Sequence, residues 1–259
     1  MEMARMASPA RTMNNFELLS FSDSDRLAQA AASEWVRDLG KVPRGTPYLV
    51  ALSGGRIARN FFIALVNLLS SATKTVKTEP PDLLREVHFF WADERCVPPS
   101  DPESNFAVAR ELLFAPLALN EAQIHRIRGE APPEIAAAEA ESQLRRIAPA
   151  NAQGQPVLDL IFLGMGEDGH VASLFPGEPE EVMSSKAVYR PVTASKPPPH
   201  RITLGYPALA AARDVRVLAS GAGKQKALQE SLLPAGRTPL ARVLQLRRHT
   251  KIFADIRPQ

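Results

Sequence analysis

Six short apolar runs, bounded by turn residues and interleaved with helical stretches, restrict this chain more than any other feature. They are PYLVAL (47–52), VHFFWA (87–92), LDLIFLG (158–164), AVYRPVT (187–193), DVRVLAS (214–220) and KIFADI (251–256). Runs this short and continuously apolar read as strands buried on both faces. Helical text lies between them at Ile57–Leu69, Ala107–Leu113, Pro133–Ile147, Pro207–Ala212 and Lys224–Leu232. A first helix comes earlier, where Ser22 and Asp25 read as a capping box, Leu27, Ala31, Trp35 and Leu39 recur at helical spacing, and Gly40 supplies the stop. Strands alternating with helices predict an α/β fold: a three-layer, Rossmann-like, doubly wound and mostly parallel sheet.

The segments 73–81, 149–156 and 193–200 are rich in polar residues and proline, but each is too short to separate domains. Residues 16–259 are therefore expected to form one domain, preceded by a frayed N-terminus over 1–15 that lacks the apolar core of a secretory signal. Cys96 is the only cysteine, which rules out a disulfide framework and suits a reducing, cytoplasmic setting. No apolar run reaches membrane-spanning length. The net charge of +3 suits an anionic small molecule or simply a solvated basic surface. The basic stretch RVLQLRRHTK (242–251) lacks interleaved aromatics and reads as a solvated face rather than a nucleic-acid site.

In open α/β sheets, ligands bind beyond the carboxyl ends of the strands, so the residues that follow each strand are the place to look. After the first run come Ser53, Gly54 and Gly55, opening a helix. Such a turn presents backbone amides to an anion, or serves only to turn the chain. After the second run come Asp93, Glu94 and Arg95, the edge of a cleft or a solvated loop. The third run leads into GMGEDGHVASLFPG (164–177), which formally contains G-x-G-x-x-G. A dinucleotide site needs a long helix from the last glycine, and Pro176-Gly177 forbids one. What remains is a glycine-rich turn that presents Asp168 and His170 together, and an imidazole there suits general acid–base work. His88 starts a strand, His125 and His249 sit in charged, surface-like text, and His200 ends a proline run. No cluster has zinc spacing, so neither a metal nor another cofactor is expected. Cys96 reads as a packing residue.

With these residues assembled, the chain resembles the 6-phosphogluconolactonases. The matching text is LSGG (52–55), DERCVP (93–98), SN followed by ARELL (104–113), DLIFLGMGEDGHVASLFPG (159–177), KPPPHRITL (196–204) and GAGK (221–224). The resemblance implies hydrolysis of 6-phosphoglucono-1,5-lactone, in a fold shared with glucosamine-6-phosphate deaminases and ribose-5-phosphate isomerases. His170 would be the base, oriented by Asp168, with Asp93 the substitute candidate. Arg95 and the turn Ser53, Gly54 and Gly55 would meet the oxyanion or the phosphate, and Arg201 and Lys224 would be the main phosphate cations. The family usually continues Ser-Thr-Pro after the two glycines; here Arg56-Ile57-Ala58 follows, so Arg56 either replaces the hydroxyl with a charge-assisted contact or points to solvent. The expected partner is a small sugar-phosphate lactone, with no nucleic acid or membrane, in a monomer or weak homo-oligomer. Two rivals share the fold. An amino-sugar-phosphate deaminase carries an acid five residues after the histidine, where Phe175 stands here. A sugar-phosphate sensor would need an appended effector domain, for which the N-terminal extension has no room.

Overall fold

The computed structural model describes residues 15–71 and 81–256. The expectation for the N-terminus, apart from Asn15, and nearly all of the 73–81 segment lie outside that range. In chain order the elements are β1 (Glu17–Ser20), α1 (Ser24–Leu39), β2 (Tyr48–Leu52), α2 (Arg56–Ser71), β3 (Val87–Trp91), β4 (Asp93–Arg95) and α3 (Asn105–Ala109). There follow α4 (Pro133–Ile147), β5 (Leu160–Gly164), α5 (Glu180–Met183), β6 (Tyr189–Thr193), β7 (His200–Leu204) and α6 (Tyr206–Ala211). The chain ends with β8 (Asp214–Ala219), α7 (Gln225–Leu232), α8 (Pro239–Leu246) and β9 (Lys251–Ala254).

The main sheet has the order β1-β9-β8-β5-β2-β3, and all of its pairs are parallel. From β2 the chain moves outward to β3, then returns to place β5 on the other side of β2. The order therefore reverses between β2 and β5, and the crevice beyond their carboxyl ends is where such a sheet receives a ligand. Beneath it, Trp35 of α1 meets Phe61 of α2, Phe89 of β3 and Phe162 of β5, with ring centroids 5.4–6.3 Å apart. This aromatic cluster fixes both helices on one face of the sheet, because each ring buries a large apolar area and pairs preferentially edge-on or offset.

Several expectations need correction. Asp23, not Ser22, caps α1: its carboxylate accepts the Arg26 amide at 2.8 Å, while Ser22 donates its hydroxyl to Asp23. The run at 187–193 does contain a strand, β6 (Tyr189–Thr193), but outside the parallel sheet. It joins β7 and β4 in a separate antiparallel sheet of order β4-β7-β6. The proline-rich 193–200 segment is the hairpin loop between β6 and β7 rather than a linker. The helix expected over Ala107–Leu113 is α3 followed by a π-helical turn at Arg110–Phe114. RVLQLRRHTK is not a purely solvated face: Val243 and Leu244 are buried in α8, and Arg247 is buried against the end of α6. There its guanidinium donates to the carbonyls of Leu209 and Ala212 at 2.8 Å, satisfying helix-end acceptors that would otherwise be orphaned.

Candidate active site

Four chain turns meet at the switch point, each one the exit of a strand. The first carries Ser53, Gly54, Gly55 and Arg56 out of β2, and its glycine is needed for contact. A Cβ on Gly54 would lie 1.8 Å from the Asn105 amide oxygen, so only glycine lets Asn105 seat here. Asn105 in turn donates from Nδ2 to the Asp93 carbonyl at 2.8 Å, tying this turn to β4. The Ser53 hydroxyl is buried in the cleft wall without a hydrogen-bond partner among the described residues. A buried hydroxyl left unpaired is unfavourable, which marks it as a group placed for something that binds.

The second exit is β4 itself. Asp93 and Glu94 are buried, not the solvated loop that was the alternative reading, because β4 pairs with β7 as a short strand. Asp93 accepts the Ser173 hydroxyl at 2.8 Å. Arg95 and Arg201 stand directly opposite each other across β4 and β7, and both line the cleft. Like charges at directly opposed positions destabilise a sheet, and an anion between or before them would relieve that repulsion. Arg95 has a partial partner in Glu103, whose backbone carbonyl lies 2.6 Å from its NH1. Arg201 is 7% exposed and has no ion pair among the described residues; it spends Nε on the Pro198 carbonyl at 3.1 Å. Burial first, and the Arg95 charge after it, push its pKa below the ordinary guanidinium value.

The third exit is the glycine-rich turn after β5, which holds no helix. Asp168 Oδ1 lies 2.5 Å from His170 Nδ1 and also accepts the His170 amide at 3.1 Å. Burial works to raise the Asp168 pKa, but the His170 amide and imidazole outweigh it and hold the carboxyl below its usual range. A carboxylate can only accept, so Nδ1 carries a proton, and it is Nε2 that holds the lone pair in the neutral ring. The imidazole lines the cleft and Asp168 stands behind it. A Cβ on Gly166 would come within 2.1 Å of that ring, so the second glycine of the turn is there to let the histidine close. Ala172, also on the cleft wall, has φ 49°, a left-handed conformation that a non-glycine residue adopts only under constraint.

The fourth exit follows β8. Gly221 turns the chain and Lys224 closes a 3-10 turn before α7, reaching the cleft beside Arg56. Burial, and next the Arg56 charge, lower the Lys224 pKa. Neither Lys224 nor Arg56 has an ion pair among the described residues.

The structure thus brings Ser53, Gly54, Gly55, Arg56, Asp93, Arg95, His170, Arg201 and Lys224 to one cleft, with Asp168 just behind. Reasoning from residue type missed Asn105, Ile57, Met165 and Ala172 on its walls. Asn105 had a signal, because Ser104 before it has the character of a helix cap and does accept the Ala107 amide at 3.1 Å. The other histidines lie elsewhere. His125 is half-buried rather than at the surface, its Nε2 2.9 Å from His88 Nδ1 and its ring stacked on Phe90. Burial pushes the His125 pKa down to about 4. Cys96 is half-buried, and burial raises its thiol to about 11, which fits packing better than nucleophilic chemistry.

The sequence model of the glucosamine-6-phosphate isomerases/6-phosphogluconolactonase family matches residues 22–253. A 6-phosphogluconolactonase of Mycobacterium tuberculosis is 35% identical over 218 residues, covering 82% of this chain and 84% of that one. A probable chloroplastic 6-phosphogluconolactonase of rice (Oryza sativa) is 34% identical over 221 residues, 83% of this chain, which spans 65% of the rice protein's length. Among solved structures, the 6-phosphogluconolactonase of Trypanosoma brucei superposes with a TM-score of 0.77 at 26% identity, covering 92% of this chain and 95% of that one. Fold, site geometry and sequence agree: the chain belongs to the glucosamine-6-phosphate isomerase/6-phosphogluconolactonase family.

Proposed function

We propose that this protein hydrolyses 6-phospho-D-glucono-1,5-lactone to 6-phospho-D-gluconate, the second step of the oxidative pentose phosphate pathway. One observation carries the reading. Three cations without ion pairs among the described residues, Arg56, Arg201 and Lys224, share a cleft with an imidazole whose proton is fixed on the far nitrogen. Arg201 is buried, Lys224 half-buried and Arg56 exposed; a buried cation without a counter-charge calls for an anionic ligand, and a phosphate supplies the matching charge for all three.

A δ-lactone is an activated ester, so water can attack it without a covalent enzyme intermediate. His170 Nε2 takes a proton from the attacking water as the new C–O bond forms at the lactone carbonyl. Negative charge then gathers on the carbonyl oxygen, where Arg95 and the amides of the Ser53–Gly55 turn stabilise it. The ring C–O bond breaks as the tetrahedral intermediate collapses, and the imidazolium returns its proton to the departing ring oxygen. Asp168 fixes the tautomer and stabilises the imidazolium in between. Arg201, Lys224 and Arg56 hold the phosphate at the other end, with Arg56 doing by charge what a hydroxyl does elsewhere in the family.

The rival deamination needs an acid five residues beyond the histidine, and Phe175 offers none. The described residues contain no group of three or more His, Cys, Asp or Glu side chains arranged to hold a metal, which supports a metal-independent reaction. No described helix is long and apolar enough to cross a membrane, and the lone cysteine suits the cytoplasmic setting proposed here. One continuous core drawing on both sheets supports a single domain over residues 16–259. The deciding experiment is an assay with freshly made 6-phosphogluconolactone beside glucosamine 6-phosphate. Acid release from the lactone with no ammonia from the amino sugar is expected. Ammonia release without lactonase activity overturns the proposal.

A further inference from the structure

Phe175 stands at the end of the glycine-rich turn, half-buried and outside the cleft wall, with no polar group of its own. Its ring nevertheless touches two of the groups given separate work above. The His170 imidazole lies with its centroid 4.9 Å from the Phe175 centroid, the planes inclined at 45°. The Arg201 guanidinium carbon lies 5.6 Å from the same centroid. These two partners belong to different elements: His170 to the turn after β5, Arg201 to β7 of the antiparallel sheet.

We propose that Phe175 is a positioning residue of the lactonase, one ring that holds the base and a phosphate-binding cation at a fixed separation. The inference rests on the lactonase reading. Asp168 holds the imidazole at one edge, through Nδ1, and leaves its faces and the Nε2 edge to other neighbours. A neighbouring aromatic ring packs there and keeps Nε2 aimed into the cleft. Arg201 has carbonyls on one side, at Pro198 and Lys196, and no carboxylate within ion-pair distance among the described residues. The negative face of the Phe175 ring supplies what a carboxylate otherwise would, without neutralising the charge that phosphate needs. A carboxylate at position 175 would pair with Arg201 and compete with the substrate. An aliphatic side chain would fill the space but hold neither partner.

The test uses steady-state kinetics with 6-phosphogluconolactone for Phe175→Leu and Phe175→Tyr, each in the native protein and with His170→Ala. Thermal unfolding checks that each variant is folded, and Phe175→Met replaces Phe175→Leu if the latter is not. Phe175→Leu is expected to lower kcat roughly tenfold and to raise KM several-fold, the scale of a lost aromatic and cation–π contact at a partly desolvated site. Phe175→Tyr should keep most of both. With His170 already removed, Phe175→Leu should still raise KM through Arg201 but leave the residual kcat unchanged. A fall in kcat by the same factor with and without His170 overturns the inference, as does Phe175→Tyr behaving like Phe175→Leu, or Phe175→Leu behaving like the native protein. Native protein inert toward the lactone would instead remove the lactonase reading, and this inference with it.

Discussion

At the scale of single residues, the proposed mechanism divides the cleft into groups that move protons and groups that hold charge, and substitutions should separate them. His170→Ala is expected to lower kcat by roughly 10²–10⁴-fold, the usual contribution of a positioned base, while the protein stays folded and still binds 6-phosphogluconate. A folded His170→Ala protein with near-native kcat would move the role of base to Asp93, the other acceptor in the cleft. Lys224→Ala should instead act on KM, raising it about tenfold or more as a charged contact to phosphate is lost. Unphosphorylated gluconolactone distinguishes the roles, since its slow hydrolysis should be unaffected. An equal loss on both lactones would assign Lys224 to the carbonyl. Asp168 and His170 were readable because they share a glycine-rich turn just after an apolar strand, whereas Arg201 and Lys224 came only through the family resemblance. Phe175 was readable only as the absence of an acid, since an aromatic side chain carries no sign in sequence of what it will stack on.

At the scale of elements, strands buried on both faces announced themselves, and strands that mix burial with charge did not. PYLVAL, VHFFWA and LDLIFLG became β2, β3 and β5 almost residue for residue, because a strand covered by helices has no polar face to confuse the pattern. β4 is Asp-Glu-Arg, and β7 begins at His200 behind three prolines, so neither looks like a strand until the other is there to pair with it. β4 and β7 were missed for that reason, and β6, legible as a strand, was expected in the parallel sheet. Glu94 shows what holds β4 in place. Buried to 2% exposure, its carboxylate accepts the amides of Arg95, Asn105 and Phe106 at 2.8 Å and the Ser104 hydroxyl at 3.1 Å, anchoring the start of α3. Burial outweighs those amides and pushes the carboxyl up to about 7. A folded-state pKa above the unfolded one means the folded form binds the proton more tightly. The associated stability is therefore complete below the ordinary carboxyl value and lost as pH rises through about 7. Urea unfolding of the native protein should show stability declining across this window more steeply than in Glu94→Gln, which has no such proton. Parallel curves for the two proteins would show that Glu94 does not titrate there.

At the scale of the whole molecule, the decisive fact is topological. Reversal of strand order between β2 and β5 opens the sheet at one place, and the exits of β2, β4, β5 and β8 all deliver chemistry to it. Strand order cannot be read from the apolar runs themselves, which is why the sequence pointed to strand ends in general but not to which of them would meet. The same topology scatters the remaining metal-binding side chains. His88 lies on the edge strand β3, where its Nδ1 and the Nε2 of His125 face each other at 2.9 Å, so one ring donates to the other and neither of those nitrogens is free for a metal. His200 begins β7, His249 precedes β9, and Cys96 is held half-buried beyond β4. Within the cleft the two acidic groups are already engaged, Asp93 by Ser173 and Asp168 by His170. The cations around them would repel a divalent ion. Exhaustive chelation should therefore leave the lactonase rate unchanged, and added magnesium or zinc should not raise it. A rate that collapses with chelator and returns with a divalent ion would mean that the cleft recruits a metal through its substrate, and that His170 is not working alone on the water.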